Sequence, residues 1–362
     1  MAGFEGVKWA TKQMQYLLDG KSFGLFDADD RVYAVSRSIH YAQFLCFEGI
    51  RFFCKKNTRG RVEVIFLNWN LNLQRFQRGI AFCLAERQQN LVPSLEELES
   101  IFIHQYFRDP SMFQFLEEMA DLGAQGYLRP FTVDEEQSIG VTFATQPSIR
   151  AVACRYDKYL GEPFSGVVVP NLIRAVAANK TGCLKLGINY LMSVKAIDEA
   201  RKILPDAASA LFLDDRVDKI LLERSVTEWD SSCCLFALRD GSVIKIPESP
   251  LILPSVTIQG LVAILKEMGT PVLERDITYG ELIQKVESDE LVCVASVGTA
   301  GIMNRCKKLM LVDEKGDSLQ THHPDKNHDL YRMLGETKTY FWNIYKEKEK
   351  LPDGMTLNKY TI

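Results

Sequence analysis

The stretch Thr181-Gly182-Cys183-Leu184-Lys185-Leu186-Gly187-Ile188-Asn189-Tyr190 carries the most informative chemistry in the chain. A lysine stands between two leucines, and a glycine follows two residues later. Asn189-Tyr190 then opens a run with Leu191, Val194, Ile197 and Ala200 at helical spacing, which predicts a helix with those four residues on its buried stripe. Apolar flanks disfavour the charged form of an amine, which makes a neutral nucleophile available for a Schiff base with a carbonyl. A lysine that lays its stem over apolar surface and keeps its ammonium in water has the same local pattern. Local spacing leaves both readings open.

The surroundings of this stretch are those of an ordinary globular protein. The chain has 362 residues, 46% hydrophobic and 25% charged, and at ~150 residues per domain it has room for two. Its 43 basic and 47 acidic residues sum to −4, so no cationic excess exists to neutralise a nucleic-acid backbone. Apolar runs such as Ala207–Leu213 fall short of the ~20 residues that a membrane-spanning helix needs. The opening MAGFEGVKWATKQMQ lacks the apolar core of a secretory signal. Nine scattered cysteines without a CxxC read as reduced thiols. The expectation is a cytoplasmic, soluble protein with no membrane and no nucleic-acid partner.

Strands and helices mix along the whole chain. Val32–Val35 and Val62–Leu67 read as strands in the first half. Pro93-Ser94 before Leu95-Glu96-Glu97-Leu98 reads as a capped helix start, with Leu95, Leu98, Ile101 and Phe102 on one stripe. A second helix is expected over Met112–Leu122, closed by Gly123. RYDKYLGEPF, from Arg155 to Phe164, loses periodicity and reads as a crossover. Residues 1–155 and 167–362 are thus expected as two domains joined by 156–166. In the second half, strands are expected at Ala207–Leu213, Leu235–Leu238, Ser242–Ile246, Val272–Asp276, Leu291–Val297 and Lys308–Val312. Helices are expected at Ile258–Met268, ending at Gly269, and at Asp329–Lys346. Many short strands with few helices between them indicate an α+β mixed sheet or barrel rather than a doubly wound parallel sheet.

Other candidate centres are weak. Pro324 interrupts any helix that would align His322, His323 and His328, so no metal is expected. Cys233 and Cys234 are adjacent, which disfavours an ordinary disulfide between them. Gly298-Thr299-Ala300-Gly301 lacks the Lys-Ser/Thr of a P-loop.

The order of several blocks resembles the branched-chain-amino-acid aminotransferase family, the fold-type-IV enzymes that use pyridoxal 5′-phosphate. Ser38-Ile-His-Tyr41-Ala-Gln with Phe47-Glu48-Gly49-Ile is similar to the family's HYGQ…FEG segment. Asn72-Leu-Gln-Arg75-Phe resembles its N..RF helix, and Tyr127-Leu-Arg129-Pro130 its YxRP strand. Arg174-Ala with Lys185-x-Gly-x-Asn-Tyr190 resembles RA…KxGGNY. Leu211-Phe-Leu-Asp214 with Val226-Thr-Glu228 resembles LWLD…VTE, Leu253-Pro-Ser-Val-Thr257 resembles LPGIT, and Gly298-Thr-Ala300 resembles GTA. The resemblance implies a small N-terminal α/β domain, a larger pseudo-barrel domain that binds the cofactor, and a homodimer.

It also implies roles. Lys185 would be the amine that bonds to the cofactor's aldehyde and afterwards shuttles the proton. Glu228 would face the pyridine nitrogen, and Tyr190 the phenolate oxygen. Arg75, the backbone of Val256 and Thr257 at a helix start, and Thr299 would hold the phosphate. The N–H groups of Ala300 and Gly301 would take the substrate carboxylate, with Tyr41, Phe47, Tyr127 and Arg129 as pocket walls. Taken singly, Glu228 also reads as an exposed strand-end acid, Arg75 as a surface ion pair, and the aromatic residues as packing.

Four departures from the family pattern fall in these blocks. Ser255 and Gln259 stand in the LPGITR segment, where serine costs energy if the backbone there needs positive φ. The run Trp229–Cys234 is one residue longer and introduces Trp229 and Asp230, changing size and charge close to the cofactor. Gly301-Ile302-Met303-Asn304 replaces an apolar-Pro stretch, and Ile188 replaces a glycine, adding bulk. The pattern fits an aminotransferase acting on a branched-chain or other apolar amino acid and 2-oxoglutarate, with altered substrate choice. The alternatives are an aminodeoxychorismate-lyase-like enzyme, a D-amino-acid transaminase, or a catalytically silent relative that acts as a binding protein.

Overall fold

Val62–Leu67, largely apolar and β-branched, forms a strand buried at five of its six positions, as a run without polar alternation requires. The computed structural model describes residues 4–30, 44–137, 141–159, 163–174 and 181–362. The strand expected at Val32–Val35 and the block carrying Tyr41 lie outside them. The chain divides into two units. The first comprises Phe4–Asp157, Leu184–Ile188 and Thr356–Ile362; the second is built from Lys158–Cys183 and Asn189–Met355.

In the first unit, strands β1 (Lys8–Trp9), β2 (Lys12–Leu17), β3 (Ser22–Asp27), β4 (Ile50–Lys56), β5 (Val62–Leu67), β6 (Gln125–Asp134) and β7 (Pro147–Arg155) pair antiparallel in the order β5-β4-β6-β7-β2-β3, with β1 added to β7. Helix α1 (Trp69–Cys83) buries Trp69, Leu73, Phe76 and Ile80 on one stripe. Helix α2 (Leu95–Glu99) starts as its sequence predicts, with the Ser94 hydroxyl accepting from the Glu97 N–H, and runs on as a π-helical segment over Ser100–Phe107. Helix α3 (Pro110–Leu122) ends at Gly123, left-handed at φ +56°. The core is aromatic: Phe66 lies 4.4 Å from Trp69 and Phe52 lies 5.2 Å from Phe107, centroid to centroid.

The second unit carries a nine-stranded mixed sheet. Its strands are β8 (Phe164–Val169), β9 (Ala207–Leu213), β10 (Val226–Trp229), β11 (Cys233–Leu238), β12 (Val243–Lys245), β13 (Val272–Glu274), β14 (Leu291–Gly298), β15 (Ile302–Val312) and β16 (Ser318–His322). Their order is β10-β9-β8-β15-β14-β11-β12-β13, with β16 beside β15. β8 runs parallel to β9 and β15, and β12 parallel to β13, while the remaining pairs are antiparallel. Helices α4 (Asn189–Ile203), α5 (Val256–Glu267), α6 (Tyr279–Glu287) and α7 (Asp329–Tyr345) complete it. The final strand, β17 (Leu357–Thr361), belongs to the first unit and adds to β5. Segregated sheets with both parallel and antiparallel pairs are the α+β class expected.

Helix α4 departs from its predicted stripe. Asn189, Ser193, Ala196 and Ala200 are buried, whereas Leu191 and Val194 are exposed. The helix lies against β8 and β9, and small side chains let the backbones approach closely there. Packing thus overrides the apolar periodicity.

Candidate active site

Lys185 is presented by a short extended segment. The Phe47 N–H donates to the Lys185 carbonyl at 3.0 Å, and the Gly187 N–H donates to the Leu45 carbonyl at 3.0 Å. Leu186 is buried in the first unit's core and Leu184 packs against it. The two leucines therefore anchor the segment, while Lys185 itself is half-buried with its Nζ 5.0 Å from the centre of the Phe47 ring.

Its charged surroundings are specific. Glu48 is fully buried and accepts from Arg75 Nε at 2.6 Å and from Arg75 Nη2, while its Oε1 also accepts from the Gly49 N–H at 2.7 Å. Burial opposes ionisation of Glu48, but the guanidinium of Arg75, with help from the charge of Lys185, outweighs it and holds the carboxyl below its ordinary range. Arg75 is thus a buried cation on α1, not a surface one. On the neighbouring β6, the Arg129 guanidinium lies 4.7 Å from the Phe47 ring and 5.0 Å from the Tyr127 ring, and its Nη2 donates to the Tyr127 hydroxyl at 3.0 Å. Tyr127 rests on Gly49, where a Cβ would come within 1.9 Å of the phenolic oxygen. The first unit therefore brings together Lys185, Arg75, Phe47, Tyr127 and Arg129; Tyr41 lies outside the described residues.

The second unit gathers another set. Glu228, on β10, is only 2% exposed, and Arg174 Nη1 lies 2.9 Å from its Oε1. The exposed strand-end reading of this acid is therefore wrong. The Leu253 N–H donates to the same oxygen at 3.3 Å, which ties the carboxylate to the loop leading into α5. Burial works against the charge of Arg174, but the Glu228 carboxylate prevails and raises its pKa. The guanidinium also lies 5.8 Å from the centre of the Tyr190 ring, in the first turn of α4. Val256 and Thr257 are the buried first residues of α5, where the leading N–H groups have no partners within the helix and the helix dipole favours an anion. Thr299, Ala300 and Gly301 form the half-buried turn between β14 and β15.

Two buried, ion-paired side chains, Glu48 and Arg174, lie inside the blocks that carry the resemblance but have no role assigned by it. Their signal was a charge embedded in an apolar run, which only long-range packing turns into an ion pair. The departures resolve individually. Ser255 sits at φ −91°, so no positive φ is required; instead its hydroxyl caps α5 by accepting from the Ile258 N–H at 3.2 Å. Trp229 is fully buried against Phe164 and Gly166, so the core absorbs its bulk. Asn304 is buried and accepts from Lys338 on α7 at 2.9 Å. Ile302 is held left-handed at φ +59°, a strained conformation for a β-branched residue, immediately after the Thr299–Gly301 turn. Ile188 is exposed.

No protein-family model matches the chain. A probable branched-chain-amino-acid aminotransferase of Staphylococcus aureus is 24% identical over 293 residues, covering 77% of this chain and 72% of its own. The branched-chain-amino-acid aminotransferase of Haemophilus influenzae is 25% identical over 323 residues, 86% of this chain and 88% of its own. Among solved structures, the branched-chain aminotransferase of Thermoproteus uzoniensis with norvaline superposes at a TM-score of 0.67, with 22% identity, over 94% of this chain and 96% of its own. The chain is thus similar in sequence to members of the branched-chain-amino-acid aminotransferase family and shares the fold of their solved structures. The Thermus thermophilus family member complexed with N-(5′-phosphopyridoxyl)-L-glutamate has a TM-score of 0.65 and 19% identity, covering 95% of this chain and 97% of its own.

Proposed function

We propose that this protein is a pyridoxal-5′-phosphate-dependent aminotransferase that moves the amino group of a branched-chain or other apolar L-amino acid to 2-oxoglutarate. The observation that carries the reading is the burial of Glu228 against Arg174, beside Tyr190 and near the loop that starts α5. A buried carboxylate is costly unless a cation or a ligand group needs it. The donor set fits the cofactor: a carboxylate for the ring nitrogen, a phenol for the ring oxygen, and a helix start for the phosphate. When bound, the cofactor supplies an electron sink that stabilises negative charge at the substrate α-carbon.

The residues divide the remaining work. Lys185 would hold the cofactor through its amine and then carry the proton to and from the substrate α-carbon. Glu228 would keep a proton on the ring nitrogen, and Tyr190 would donate to the ring oxygen. Arg75, the Val256 and Thr257 backbone and the Thr299 hydroxyl hold the phosphate. The N–H groups of Ala300 and Gly301 take the substrate carboxylate, while Tyr41, Phe47, Tyr127 and Arg129 shape the pocket and exclude water. Among the described residues, no helix is long and apolar enough to cross a membrane; we assign the protein to the cytoplasm, as a homodimer.

The test is the absorbance of purified protein with pyridoxal 5′-phosphate, titrated with a panel of amino acids. A spectral shift on adding leucine or glutamate is expected. Pyruvate release without an oxo-acid acceptor identifies a lyase instead, and absence of any bound chromophore identifies a silent relative.

A further inference from the structure

The pairing of β9 with β10 is irregular. Leu211 faces Trp229 and Leu213 faces Val226, so two steps along β9 oppose three along β10. The additional residue falls at Thr227–Glu228, which makes this a bulge, the device that turns a side chain out of the regular alternation. A slip by one residue would send every side chain of β10 to the opposite face. The direction of the Glu228 carboxylate therefore depends on what pins the strand on both sides of the bulge.

Before the bulge, the Ser225 N–H donates to Asp214 Oδ2 at 2.9 Å, and within it the Thr227 hydroxyl donates to the Phe212 carbonyl at 3.1 Å. After it, Trp229 packs on Phe164 and donates its Nε1–H to the Ala295 carbonyl at 3.3 Å, while Asp230 makes the hydrogen bonds to β9. Its N–H donates to the Ala210 carbonyl at 2.8 Å, and its Oδ1 accepts from the Ala210 N–H at 3.0 Å and from the Ser209 hydroxyl. Its own carbonyl accepts from the hydroxyl of Ser193. Ser193 lies one turn beyond Asn189 and Tyr190 on α4. A single residue thus ties the strand that bears Glu228 to the helix whose first turn bears Tyr190.

We propose that Asp230 is a positioning residue: it locks the bulged register of β10 and the start of α4 together, so that Glu228 and Tyr190 meet the same cofactor ring. The inference rests on the cofactor reading above. It also gives the unusual acid in this run a purpose that a small residue could not serve, because an alanine or glycine has no side-chain acceptor for Ser209 and Ala210. Burial pushes the Asp230 carboxyl up, while the Ser209 hydroxyl and Ala210 amide pull the other way. An amide oxygen in the same place accepts both bonds without the cost of a buried charge.

The experiment compares wild type, Asp230→Asn, Asp230→Ala and Ser209→Ala, each loaded with pyridoxal 5′-phosphate. The measurements are cofactor dissociation constant, the pH midpoint of the bound cofactor's absorbance change, and melting temperature. Displacing the carboxylate from the ring nitrogen leaves that nitrogen neutral, which eases protonation elsewhere on the bound cofactor. Asp230→Ala is expected to raise the midpoint by about one pH unit and the dissociation constant about tenfold. Ser209→Ala shifts both in the same direction by less, and Asp230→Asn restores wild-type values. A melting temperature that falls while midpoint and dissociation constant stay at wild type, in Asp230→Ala or in Ser209→Ala if the former does not fold, overturns the inference. Wild-type protein that binds no cofactor refutes the functional reading itself, and the inference with it.

Discussion

Replacing Glu48 by Gln tests the buried charge around which the lysine segment is built. The substitution keeps the side chain's size and removes the carboxylate charge that the 5%-exposed Arg75 bonds. Two unit charges about 4 Å apart at an effective dielectric constant near 20 attract by about 4 kcal/mol. Breaking a buried pair from one side costs about 3–5 kcal/mol, since an uncompensated charge remains. In a unit of this size that lowers the melting transition by roughly 6–20 °C. The carboxyl titrates below its ordinary range, so the pair's contribution is intact above that range and is lost as pH falls through the folded value. The assay is thermal unfolding of cofactor-free and cofactor-loaded protein at neutral pH. If Arg75 also holds the phosphate, a dianion replaces the lost partner, and cofactor raises the melting temperature of Glu48→Gln by more than it raises wild type. A cofactor-free variant that melts within about 2 °C of wild type contradicts the ion-pair argument. Equal cofactor-induced shifts contradict the phosphate role of Arg75.

Further outcomes follow from single side chains. Burial, then the charge of His323, lowers the His322 pKa to about 4; the unfolded state binds a proton that the native state refuses, so stability falls by about 3 kcal/mol between roughly pH 6.5 and 4. His322→Phe flattens that slope in urea titrations run at several pH values, and an unchanged slope places the acid sensitivity elsewhere. Ser255→Ala removes the α5 cap and costs about 1 kcal/mol, while Ser255→Gly costs only a few tenths; a glycine variant stabler than wild type by chemical denaturation reveals strain that φ −91° does not contain. Gly49→Ala drives a methyl against the Tyr127 hydroxyl, with about 1–3 kcal/mol of overpacking. Its KM for the amino-acid substrate rises, and wild-type KM removes Tyr127 from the pocket wall.

Much of this architecture was legible in local pattern. Val62–Leu67 and Ala207–Leu213 are strands with the expected bounds, and the stops at Gly123 and Gly269 are left-handed as their chemistry predicts. Local pattern failed where a distant partner decides. Leu191 and Val194 keep helical spacing yet face outward, because β8 and β9 accept only the small side of α4. Ser255 stands where the family has a glycine, yet its backbone needs no glycine freedom and its hydroxyl serves as a cap. Glu48 and Arg174 declare themselves only once their partners, 27 and 54 residues away in sequence, are in place. That Leu184–Ile188 packs with the first unit while its flanking segments belong to the second is a property of the folded chain that no window of sequence contains.

Borohydride reduction of the protein loaded with pyridoxal 5′-phosphate, followed by digestion and mass spectrometry, addresses the covalent chemistry directly. The cofactor's mass is predicted on the peptide that carries Lys185, and its loss in Lys185→Ala. A label on another lysine, or an adduct that survives in that variant, contradicts the account.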